Sequence, residues 1–129
     1  MTTDPIVSHA LTVVWTGMLL GVVSGAVIGL YFHREDWMGG YSSFRRRLTR
    51  LGHISFFGLA FVNMAFAMTQ HLSPLTGPWG MRALVLFMAG AATMPLVCFL
   101  TAWKKPLRHL FFIPVGTVLG GVVLTLFTR

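Results

Sequence analysis

Polar and charged positions along the chain are confined to short intervals, and between them run four nearly uninterrupted apolar stretches, about 7–32, 51–71, 81–103 and 108–127. Each approaches or exceeds the ~20 residues a helix needs to cross a hydrocarbon core of ~30 Å. Pro74, Gly77 and Pro78 break the chain between the second and third stretches, and Lys104-Lys105-Pro106 between the third and fourth. Arg34 to Arg50 is the only sizeable interval. The pattern predicts an all-α fold: one domain, 1–129, forming an integral membrane bundle of four transmembrane helices in up-down order. The stretches are hydrophobic almost all round, so periodicity assigns no faces, and that task falls to small residues and embedded polar atoms.

Composition agrees with this reading. Hydrophobic residues make up 55% and charged residues 10% of the chain, and mean hydropathy is +0.74, too little charge to cover a soluble domain. The first stretch follows Asp4 instead of a basic segment and lacks a small-residue cleavage site, so it reads as a retained helix. The net charge of +7 sits in the short intervals, which points to membrane orientation and away from nucleic acid. Arg34, Arg45, Arg46, Arg47, Arg50, Lys104, Lys105 and Arg108 fall on the side of the first and third intervals, against Arg82 and Arg129 on the other. By the positive-inside rule both termini are then non-cytoplasmic, and the expected location is a bacterial inner membrane.

Gly17, Gly21, Gly25 and Gly29 stand four apart in the first stretch. Residues at that spacing form one ridge of a helix, so the glycines open a furrow, a common seat of close helix packing in bilayers. The rim of a flat cofactor is a second occupant, because glycine lets a ligand approach backbone. Gly116 and Gly120 repeat the motif more weakly in the fourth stretch.

The five histidines, at 9, 33, 53, 71 and 109, all lie near the edges of the apolar stretches. His53 and His71 are 18 residues apart, five full helical turns, so they share one face of the second helix about 27 Å apart. His9 is the depth-matched partner of His71, and His109 or His33 that of His53. Such pairs are what two b-type haems require, since neutral imidazole is a strong nitrogen donor to iron and two of them fill both axial positions. Gly17, Gly21 and Gly25 would seat the porphyrin edge. Asn63 could bond a propionate, a quinone or a neighbouring helix, and Arg45 to Arg50 and Arg82 could pair with propionates.

Other chemistry finds less footing. The single Cys98 excludes an intrachain disulfide framework and a four-cysteine zinc site. The chain has eight methionines but no Met-x-x-Met cluster for copper, and Met64 and Met68 read as ordinary filler. Asp4, Glu35 and Asp36 lie outside the apolar stretches, which speaks against an ion-coupled transporter. No catalytic triad, phosphate loop or zinc spacing occurs, so an electron-transfer or accessory role is expected before catalysis.

His9, Trp15 and Gly17, with the later Tyr31-Phe32-His33, give the first helix a pattern that resembles the first helix of small haem-binding membrane protoporphyrinogen oxidases and of copper-resistance membrane proteins. The resemblance covers about 25 residues, does not continue into the second helix, and implies only His9 as a haem ligand. The leading expectation is therefore a small b-type cytochrome or haem-carrying subunit with His53 and His71 as first ligands and His9 and His109 as their partners. The alternative is a cofactor-free structural or assembly subunit of a larger membrane complex, or a homo-oligomer, packing through the glycine face of helix one.

Overall fold

The computed structural model describes residues 4–128. Its regular elements are α1 (Pro5–Tyr31), α2 (Phe44–Leu72), α3 (Trp79–Trp103) and α4 (Phe112–Phe127), with short 3-10 segments at Trp37–Gly39 and Lys105–Phe111, and no strand among the described residues. All four helices, the last counted from Lys105 to Phe127, are long and apolar enough to cross a membrane, as an integral membrane protein requires.

Each boundary has a local cause. The Asp4 carboxylate accepts from the Ile6 N–H and caps α1, with Pro5 at the first helical position, where a missing N–H costs nothing. Ser43 caps α2 by accepting from the Arg46 N–H. Consequently α2 begins at Phe44, seven residues before the apolar stretch: arginine and leucine favour helix, so the basic segment forms its first two turns instead of continuing the loop. The 3-10 segment built on Pro106 delays α4 to Phe112, and Pro114 then lies in the first turn of α4, where no intrahelical donor is needed. Pro95, by contrast, stands in the interior of α3.

Consecutive helices run antiparallel. Gly17 lies against Phe56 and Ala60, Gly25 against His53, Gly52 against Phe99, and Gly121 against Phe87. α1 packs along α2, α2 along α3 and α3 along α4, while α1 meets α3 over a shorter stretch and makes no extensive contact with α4. The bundle is an open row centred on α2 and α3, not a closed square. The main core lies at the end carrying the chain termini, where Ala10, Phe66, Ala67, Leu75, Ala83, Leu84 and Phe87 cluster.

Candidate functional site

α2 fills the furrow in α1. At Gly17 an added Cβ would lie 3.1 Å from the Phe56 carbonyl oxygen and 3.3 Å from the Ala60 Cβ, and at Gly21 it would lie 2.6 Å from the Phe57 ring. At Gly25 it would lie 2.7 Å from the His53 imidazole. The ridge therefore seats neighbouring side chains over three of its four glycines. Gly29, with nothing within 4 Å, is the fourth.

His53 is the half-buried exception among the histidines. Its Nδ1 lies 3.0 Å from Ser24 Oγ, and the ring meets Phe57 edge to face at 5.6 Å. The Ser24 hydroxyl has one proton, which it donates to the Gly21 carbonyl at 3.1 Å. When it does, the same oxygen is an acceptor toward His53 and Nδ1 carries the hydrogen. That tautomer leaves the lone pair on Nε2, which has no hydrogen-bond partner among the described residues. A neutral imidazole with Nδ1 held and Nε2 free is the form in which histidine binds metal. Sequence reasoning missed Ser24; its one signal was that it is the single serine or threonine between Gly17 and Gly29, beside the glycine ridge.

The other proposed ligands sit differently. His9 is exposed and donates Nδ1–H to the Pro5 carbonyl of its own helix at 2.6 Å. His71 and His109 are exposed, at the end of α2 and in the 3-10 segment before α4. His33 is exposed just past α1, two turns beyond Gly25 on the glycine ridge. No imidazole hydrogen-bonds another, and no group of three or more His, Cys, Asp or Glu residues that could hold a metal ion occurs among the described residues. Asn63 is fully buried; its Nδ2 donates to the Leu59 carbonyl of the preceding turn at 2.9 Å, and its Oδ1 has no partner.

A second cluster stands at the basic end of the bundle. Arg46 is only 2% exposed. Its NH2 donates to the Phe32 carbonyl at 2.9 Å and its NH1 to the Arg34 carbonyl at 3.4 Å. The guanidinium carbon lies 4.5 Å from the Phe32 ring centre, 5.2 Å from that of Tyr41 and 5.5 Å from that of Trp37. Carbonyl dipoles and aromatic faces take the place of a carboxylate, and the cation meets the negative end of the α1 dipole. The Arg50 guanidinium carbon also lies over this group, 4.7 Å from the Tyr41 ring centre. No family model, curated protein or solved structure matches the chain.

Proposed function

We propose that the chain is a small haem-carrying membrane subunit, with its basic end toward the cytoplasm, in which His53 would supply the nitrogen that holds the haem. One observation carries this reading: Ser24 engages His53 Nδ1 while Nε2 has no hydrogen-bond partner among the described residues, in a largely apolar setting. Arg50, three residues before His53 on α2, lies one turn toward the basic end and is the cation available to a propionate. Haem when bound would supply one-electron chemistry. His53 would hold it and Ser24 would fix the ring and its tautomer. The reading thus narrows to one site in the basic-end half; His9 and His71 at the other end carry the two-haem version only if a further chain or segment completes it.

A second reading is favoured by the filling of the furrow at Gly17 and Gly21. In it the chain is a cofactor-free structural or assembly subunit, and Ser24–His53 is an interhelical hydrogen bond that joins α1 to α2. A dithionite-reduced minus oxidised visible spectrum of the protein purified with added haemin separates the two. Sharp α and Soret bands, lost in His53→Ala and broadened or shifted in Ser24→Ala, support the haem reading. A flat spectrum from folded protein removes it, and migration of the native complex above the mass of one chain then supports the structural reading.

A further inference from the structure

We propose that the cleft between α1 and α3 holds one acyl chain of an anionic phospholipid, with the lipid phosphate on the cationic cluster formed by Arg45, Lys104 and Lys105. The cleft has a volume of about 510 Å³ and is walled by Thr16 and Gly17 of α1 and Ala92, Pro95 and Phe99 of α3, with Phe56 of α2 as its floor. It exists because α1 and α3 both pack on α2 but meet each other only briefly, and because glycine and alanine leave the walls short. The polar wall atom of Thr12 is already satisfied, since its hydroxyl donates to the Ser8 carbonyl at 3.0 Å. Thr16 adds a second hydroxyl, and the rest of the wall is apolar and suits a hydrocarbon chain.

Charge beyond the basic end of the cleft decides the kind of lipid. Arg45 precedes Phe56 by 11 residues on α2, which puts it on the same face about 16 Å nearer the basic end. Its Nε donates to the Ala102 carbonyl at 3.2 Å, tying it to the end of α3 while the exposed guanidinium keeps its other donors. Lys105 Nζ lies 5.3 Å from the ring centre of Phe44, the residue next to Arg45, and Lys104 is the exposed cap of α3. Three cations from two distant intervals therefore meet at the edge of the bilayer, and none of them forms an ion pair among the described residues. A membrane surface offers such a cluster an anionic headgroup.

Native mass spectrometry of the full chain in neutral detergent, incubated with equal amounts of phosphatidylglycerol and phosphatidylcholine of the same acyl composition, tests the proposal. One phosphatidylglycerol per chain should be retained in preference to phosphatidylcholine. Arg45→Gln and Lys105→Gln should each weaken that retention roughly fivefold, the equivalent of about 1 kcal/mol per cation. Arg47→Gln, two residues on and turned to another side of α2, should leave it unchanged. Ala92→Phe, at an exposed wall position, should abolish binding of either lipid, and if that variant fails to fold the two charge variants decide the matter alone. Equal retention of both lipids, unchanged retention in the charge variants, displacement by millimolar inorganic phosphate, or a lipid-free dimer would each overturn it.

Discussion

α2 grips α1 at both ends, and the two grips use opposite chemistry. At the termini end, Asp4 caps α1 and its other carboxylate oxygen accepts from the Gln70 amide at 3.4 Å, while Gln70 accepts from the Leu75 N–H at 3.2 Å. At the basic end, Arg46 supplies donors to carbonyls following α1 inside an aromatic enclosure. The first arrangement puts an anion at the helix N-terminus and the second a cation at its C-terminus, so both agree with the helix dipole. They differ in support. The termini end has the apolar core beside it, whereas the basic end relies on one buried cation. The lesson is that the same task costs more to disrupt where fewer groups share it.

Substitution at that cation should have the largest effect. Arg46→Ala exposes two carbonyls and empties the aromatic enclosure, and should lower stability by about 3 kcal/mol in detergent melts. Arg46→Lys, which keeps charge but loses the fork, should recover only part. A melt for Arg46→Ala no lower than that of Gln70→Ala would reverse the comparison of the two ends.

The next effect tests the contact between the ends. Gly21→Leu forces a side chain into the Phe57 ring and should cost roughly 2 kcal/mol. Gln70→Ala should cost about 1 kcal/mol, because it removes two hydrogen bonds next to a core that remains packed. Urea or thermal titration of the variants side by side would establish the order.

Asn63→Leu should act in the opposite direction and raise stability by up to about 1 kcal/mol, since it removes a buried acceptor that has no donor. A loss in the same melt would show that Asn63 Oδ1 meets a donor in the membrane. Smallest of all is Gly29→Ala: with open space at that position, it should change stability by less than about 1 kcal/mol, and helix propensity makes the expected sign favourable. A large loss there would mean that a partner occupies this end of the ridge.

Much of the fold was legible along the chain. The four apolar stretches became four helices, and the glycine ridge marked a close helix contact at Gly17 and Gly21. The start of α2 was not legible, because four arginines and Thr49 look like a loop until Ser43 caps them and Phe32, Trp37 and Tyr41 fold over Arg46. The candidate site was legible only in part. His53 stood out by its residue type, but the state of its ring depends on Ser24, 29 residues away in sequence, and no local pattern joins them.

The amino-acid sequence by itself determined that this is an all-helical chain with four segments able to cross a bilayer, because length and hydropathy are sums over neighbours. It also determined that cations gather at one end, since charge is counted without knowing contacts. Only the tertiary structure decided which atoms meet: that α2 closes the furrow in α1, that Arg46 is buried, and that His53 keeps one nitrogen free. Those outcomes depend on how uniformly apolar helices rotate about their axes, and close packing sets that rotation through contacts between residues far apart in the chain.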